Sequence, residues 1–309
     1  MTKDVRAGFV LAIALLAPAA GWAQEPSAFV TEIDRKNGEI LIRRAGDSTW
    51  EPAKPLHVLR PGDQIEVAGG STITVVFHGG AAATIKAQSS PYVVPAAVKA
   101  ARSRTTEITS SLTRFFLGKQ APPVFKAAVT RSTAPTIVGP RETRVMTPRP
   151  VFEWEDCDGR SCTIRLLGAD SRLLWEEKNL GGRSAVYPAR LPALQGGARY
   201  IWELETVGLP PQRTGFDVMT DEEAGRVQKA LTDLANAGYS PGTLAVVRGG
   251  LLFSEGLFAD ARRELEEAEQ RRPDDPTYAF LLAHVYERVG LTAKARQKLA
   301  RAQRGSAGP

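Results

Sequence analysis

Near its C-terminus the chain repeats itself: Gly256, Leu257, Ala261, Leu265 and Ala268 recur as Gly290, Leu291, Ala295, Leu299 and Ala302, every pair 34 residues apart. A fixed period of that length means that each unit is one supersecondary element able to bury its apolar face only against a neighbour. The leading glycine suits the turn between two helices, and the small residues at the third and fifth places let the helices cross closely. Residues 220–305 are therefore expected to form a short all-α array, with one more helix over 222–237 in front. Two repeats cannot bury a long solenoid core, so the array must lean on that helix or on a partner.

The period, the turn glycines, the small crossing residues, Leu252 and Tyr286 at a shared large position and Pro273 at the end of the first unit resemble the tetratricopeptide repeat. That resemblance implies a concave groove lined by the first helix of each repeat, where protein partners bind. On the helix from Thr277, the residues Thr277, Phe280, His284 and Glu287 share one face at steps of 3, 4 and 3, while Ala279, Leu282, Ala283 and Tyr286 share the packing face. One repeat earlier the corresponding places are Thr243, Val246, Gly250 and Phe253. Val246, Phe253, Thr277, Phe280, His284 and Glu287 are thus the candidate partner-binding residues. The alternative is that the helix from Glu222 covers Phe253 and Phe280, because so short an array must hide its ends.

The other end has a different character. Lys3 and Arg6 precede an apolar run from Phe9 to Ala20, and Gly21-Trp22-Ala23 follows. Charge, apolar stretch and small residues in that order read as a secretory signal over 1–23, cut after Ala23. The run is about a dozen residues with Pro18 inside it, short of the about 20 that a spanning helix needs. No cysteine follows it, so no lipid anchor is indicated. The expected location is the periplasm or cell envelope, with a soluble mature product.

Residues 24–95 alternate short β-rich runs, 39–43, 63–67, 72–77 and 83–86, with turns at Asn37-Gly38, Gly46-Asp47, Pro61-Gly62, Gly69-Gly70 and Gly79-Gly80. That spacing predicts a small all-β unit. Gly38-Glu39, Arg43-Arg44-Ala45-Gly46, Trp50, Leu59-Arg60-Pro61-Gly62-Asp63-Gln64-Ile65, Gly70-Ser71 and Val75-Val76-Phe77 together resemble the FecR domain, the step from Leu59 to Ile65 most specifically. Where that family has Asp-Gly-Ser, this chain has His78-Gly79-Gly80, so any contact made by the family's Asp is lost. The resemblance implies a signal-related envelope protein. The FecR proteins that relay a signal to a cytoplasmic sigma factor use a membrane segment and a cytoplasmic tail, which are not recognised here, so direct sigma-factor control is not expected.

Between 96 and 149 lies a connector with ten Lys or Arg against Glu107 and Glu142, in a chain whose net charge is +6. All of the excess charge sits there. Val98, Ala101, Thr105, Ile108, Leu112 and Phe115 predict one helix face, stopped by Gly118 and Pro122-Pro123, and an extended linker is expected to run on to about Pro150. Lys99, Arg102, Arg104 and Arg114 make the rest of that helix basic and are the candidate anionic-surface residues, for envelope lipid or polymer. Export argues against nucleic acid as the partner.

Residues 150–219 return to alternating strands, which suggests a β-sandwich. Pro150-Val151-Phe152-Glu153-Trp154 and the run from Leu194 through Gly197, Tyr200 and Trp202 are similar to the immunoglobulin or fibronectin type III-like modules of exported bacterial proteins. Trp154, Trp175 and Trp202 belong in its core rather than on a sugar-stacking surface. Cys157 and Cys162, the only cysteines, flank the turn Asp158-Gly159-Arg160-Ser161 and are expected to pair in an oxidising compartment.

Nothing in this pattern carries chemistry. His57, His78 and His284 fall in separate segments and read as solvated residues; no triad, zinc set, phosphate loop or dinucleotide fingerprint is present. Glu264, Glu266, Glu267 and Glu269 with Arg262, Arg263, Arg271 and Arg272 read as a charged helix surface. The expected fold is multi-domain: a FecR-like β-domain, a β-sandwich and a tetratricopeptide-like array. The expected function is binding or scaffolding without catalysis or cofactor, through protein partners. The alternative is a peptidoglycan or polysaccharide binder.

Overall fold

The computed structural model describes residues 25–96, 104–119, 121, 123, 135–155, 157 and 160–307. The expected signal over 1–23 and much of the basic connector, Lys99 and Arg102 among it, lie outside the described residues, as does the side chain of Arg104.

Eight strands form the N-terminal β-domain: β1 (Ala28–Asp34), β2 (Ile40–Arg43), β3 (Glu51–Pro52), β4 (Val58–Leu59), β5 (Gln64–Val67), β6 (Thr72–Phe77), β7 (Ala82–Lys86) and β8 (Tyr92–Val93). They pair antiparallel in two sheets, β4-β1-β6-β7 and β3-β2-β5-β8. Val30, Ile33, Ile42, Ile65, Ile73 and Val75 are among the residues of the core between them. One turn is held by a buried carboxylate. Asp63 accepts from the Arg44 guanidinium at 2.7 Å and from the backbone N–H groups of Ala45 and Arg60 at 3.0 and 2.9 Å, and Gly62 before it has φ +83°.

Of the strands that alternation in the sequence does not mark, β1 is the longest. It is buried from Ala28 to Ile33 on both faces, and its register against β6 shifts between Val30 and Glu32. A bulge there turns two successive polar residues, Thr31 and Glu32, to the side away from the domain core.

The sandwich holds β9 (Thr136–Gly139), β10 (Thr143–Val145), β11 (Val151–Glu155), β12 (Cys162–Leu167), β13 (Leu173–Leu180), β14 (Ser184–Val186), β15 (Arg199–Thr206) and β16 (Gln212–Val218), in sheets β10-β16-β15-β12-β13 and β14-β11-β9. Its first two strands lie where an extended linker to Pro150 is expected. β9 and β10 are three or four residues long around Pro140 and Arg141, too short to show a period, and only their partners β11 and β16 define them. Trp202 fixes that entry by donating its indole N–H to the Pro140 carbonyl at 2.7 Å. The three tryptophans are in the core as expected, with Phe152 in ring contact with Trp175 at 5.4 Å and Trp202 at 5.0 Å. Cys157 and Cys162 form a disulfide, their Cα atoms 6.3 Å apart.

Six helices complete the molecule: α1 (Arg104–Leu117), α2 (Asp221–Ala235), α3 (Pro241–Ser254), α4 (Phe258–Arg271), α5 (Pro276–Arg288) and α6 (Thr292–Ala307). Thr220 and Glu223 make a capping box for α2, and Ser240 and Asp275 cap α3 and α5 just before a proline at the first helical place. Gly256 and Gly290, the repeated turn glycines, have φ +78° and +77°. Neighbouring helices of α3 to α6 pack in sequence order, with α4 and α6 outside. Among the described residues no helix is long and apolar enough to cross a membrane.

Candidate functional site

The face expected to be an open groove is packed shut. Every residue of α5 from Pro276 to Tyr286 is buried, and so are ten of the fourteen residues of α3. A helix apolar all round belongs in an interior. Val246, Phe253, Thr277, Phe280 and His284 are all inside, and of the six candidates only Glu287 is exposed. Phe253 is covered by Phe115 of α1, with ring centroids 5.3 Å apart, by Phe258 at 5.1 Å and by the Lys119 ammonium at 5.1 Å. Its cover is therefore α1, where the helix from Glu222 stood as the alternative.

What fills this face comes from two directions. From the β-domain, the Glu32 carboxylate reaches the N-terminus of α3. It accepts from the Ser240 hydroxyl, from the Thr243 N–H at 3.0 Å and hydroxyl at 2.7 Å, and it pairs with the Arg272 guanidinium. A carboxylate suits a helix N-terminus because unpaired N–H groups and the helix dipole converge there. Thr31 meets Thr243 hydroxyl to hydroxyl at 3.0 Å, and the Ile33 N–H donates to Asp275 at 3.2 Å. Burial pushes the Asp275 carboxyl above its ordinary value, against the N–H bond from Thr277. Gly242 makes the approach possible, since a Cβ there would stand 2.6 Å from a Glu32 carboxylate oxygen.

From the connector comes α1. Its buried residues are Thr109, Ser110, Leu112, Thr113 and Phe116, a stripe turned slightly from the expected 105, 108, 112, 115 face, while Arg114 stays exposed. Phe116 meets Phe29 of β1 in a tilted ring contact, centroids 4.9 Å apart. The resulting apolar cluster runs from Phe29, Leu56, Val58 and Val76 through Leu112 and Phe116 into α2, α3, α4 and α5.

The sandwich docks on another side of the array mainly through hydrogen bonds and ion pairs, with Met146 and Met219 in apolar contact beside them. Leu257 gives α4 no side-chain cap; the Thr143 hydroxyl of β10 supplies one instead, accepting from Phe258 N–H at 2.8 Å and donating to the Gly256 carbonyl at 3.0 Å. Arg141 donates to the Val289 carbonyl at 2.7 Å, Arg144 pairs with Glu223 at 2.5 Å, Arg262 with Glu153, and Lys294 with Glu155 at 2.5 Å. Arg262 and Glu269 are buried, which corrects the reading of that helix as wholly solvated: the first ties α4 to the sandwich, the second takes Lys298 of α6.

Two of the histidines also differ from expectation. His57 and His284 are buried, and desolvation lowers both to about 4, helped at His57 by the Arg44 and Lys54 charges and at His284 by Lys119. They are neutral packing residues, His284 with a backbone hydrogen bond to Lys119. His78 is half-buried. Among the described residues no group of three or more His, Cys, Asp or Glu could hold a metal ion.

A separate cleft of about 720 Å³ opens between the β-domain and the ends of α5 and α6. Arg35, Lys298, Arg301 and Arg304 line it together with Asp274 and Asp275. Arg35 is spent on the Gly305 and Ala53 carbonyls, at 2.8 and 2.6 Å.

No protein-family description matches this chain, and no curated protein matches it. Among solved structures it is similar to the FN1–FN3 domains of chicken CNTN1 at 10% identity, over 66% of this chain and 60% of that one, with a TM-score of 0.22. The chain thus spans under two thirds of that structure's length, and at this score the sandwich rests on its own strand pairing.

Proposed function

We propose that the protein is a non-enzymatic, extracytoplasmic binding or scaffold protein of a bacterial cell envelope, with a FecR-like β-domain and a tetratricopeptide-like array that engages protein partners. The observation that carries this reading is the way both β units converge on one helical array, an arrangement suited to holding surfaces in fixed relation. Within the Leu59 to Ile65 step, Leu59 and Ile65 are core residues, Gly62 takes a left-handed φ and Asp63 holds the turn, and the left-handed glycines 34 residues apart fit a repeat of paired helices. The disulfide is compatible with an oxidising compartment. The test is in-cell cross-linking of the exported chain, followed by reconstitution with each captured protein in purified form. A stoichiometric complex with a purified envelope protein is the expected result. Turnover of a substrate, or cytoplasmic retention of the chain, would overturn the reading.

The ten Lys or Arg of residues 99–149 favour a second reading, attachment to an anionic wall polymer. Co-sedimentation with insoluble peptidoglycan, weakening as salt rises, would support it.

A further inference from the structure

The helix that closes the array's inner face is poorly suited to being a helix. Six of the fourteen residues of α1 are Ser or Thr, namely Thr105, Thr106, Thr109, Ser110, Ser111 and Thr113, and none is Ala. Such residues rank low in helix propensity because their hydroxyls compete for backbone partners. Three of them turn back onto their own helix: Thr109 donates to the Thr105 carbonyl at 2.9 Å, Ser110 to Thr106 at 2.6 Å and Thr113 to Thr109 at 2.8 Å. A fourteen-residue helix of this composition is not stable alone in water. Its helicity comes from the seat it occupies.

The seat is specific. α3 carries two consecutive glycines in its interior, where each costs about 1 kcal/mol against alanine. A Cβ on Gly249 would stand 2.8 Å from Leu265 of α4, and one on Gly250 would stand 2.6 Å from Phe116 and 3.1 Å from Leu112. One glycine therefore admits the next helix of the array, and the other admits α1. Phe115 covers Phe253 beside them. The three α1 residues that enter, Leu112, Phe115 and Phe116, form a step of i, i+3, i+4, the pattern by which an amphipathic helix is read in a groove.

We propose that α1 is an internal ligand of the array: it folds on docking, and the same seat takes a partner helix that presents leucine and two aromatic residues at i, i+3 and i+4. The partner gains entry by displacing α1. Its apparent affinity is lowered by the fraction of time for which the seat is closed. This rests on the partner-binding reading of the array and adds the site and the recognition pattern.

The test uses the full mature chain and a labelled synthetic peptide of residues 104–119. The Phe116→Ala chain, whose own helix holds the seat weakly, is expected to bind the peptide about 10-fold or more tighter than the unaltered chain does. A peptide carrying F115A and F116A should bind neither. A folded Phe116→Ala chain that ignores the peptide would overturn the proposal. Should Phe116→Ala unfold, hydrogen exchange on the unaltered chain decides: α1 amides are expected to exchange about 100-fold faster than those of α5, through local opening. Equal protection of the two would make α1 a permanent part of the core. Peptide binding without any envelope partner would retain the seat while removing the scaffold reading; a reconstituted partner indifferent to the peptide would do the reverse.

Discussion

The helical array meets two β units, and it meets them differently. At the β-domain the junction is apolar, with Phe29, Leu56, Val58 and Val76 in one cluster with α3 and α5, beside a separate core between the two β-domain sheets. The sandwich keeps a core of its own around Phe152 and Trp202 and, beyond the apolar contacts of Met146 and Met219 with the array, it touches the array through Thr143, Arg141, Arg144 and two carboxylates. A cleft of about 290 Å³, lined by Met146, Gln228 and Arg263 among others, remains at that second junction. A broad apolar junction binds two modules into one cooperative unit, because neither can open without exposing the other's apolar surface; a mainly polar junction leaves the partners able to unfold apart. By this account the β-domain and the array are one body, α1 is a segment docked on it, and the sandwich is a second body.

Acid should separate the two bodies most strongly. Both buried histidines belong to the merged body and the sandwich has none. Their folded pKa values, about 4, lie below the ordinary 6.5, so their contribution is complete above pH 6.5 and is lost as pH falls from there toward 4. At pH 5 the expected loss is about 2 kcal/mol for each. Asp275, held above its ordinary value, works in the opposite direction. Urea unfolding at pH 7 and pH 5, followed separately in β6 and β15, should show the drop in β6 alone. Substituting His57→Gln and His284→Gln should flatten it.

Breaking the charged latch comes next. Glu32→Ala leaves Arg272 without its partner and the Ser240 and Thr243 groups without their acceptor, at a cost of about 3 kcal/mol. Both β1 and α3 should lose protection together. If only the β-domain weakened, the cores would not be cooperative.

In the sandwich, replacing both cysteines by serine removes a short closed loop and should cost about 2 kcal/mol at most. The melting of β12 and β15 should fall while that of α5 stays unchanged. The smallest effect is expected for Thr143→Val, which removes the α4 cap supplied by the sandwich. About 1 kcal/mol should disappear, read as faster exchange of the first amides of α4.

The sequence made legible what is local. Alternation located most strands, the 34-residue period located the turns at Gly256 and Gly290, and the short spacing of Cys157 and Cys162 indicated their bond. What escaped is what depends on distant partners. β1 does not stand out because Thr31 and Glu32 interrupt its apolar run, yet that interruption is where it meets α3, more than 200 residues away in sequence. The sequence suggests an open groove because one face of α5 carries Thr277 and His284, residues that are polar by type but packed inside. A local signal did exist for α1: paired glycines inside a helix, at 249 and 250, mark a close approach by something. It did not say by what.

Hydrogen exchange across a urea series, with β1, α5 and β15 followed in one sample of the unaltered chain, tests the two-body account most directly. The account predicts that β1 and α5 lose protection at one shared urea concentration and β15 at another. Loss of protection in β1 while α5 remains closed would contradict it.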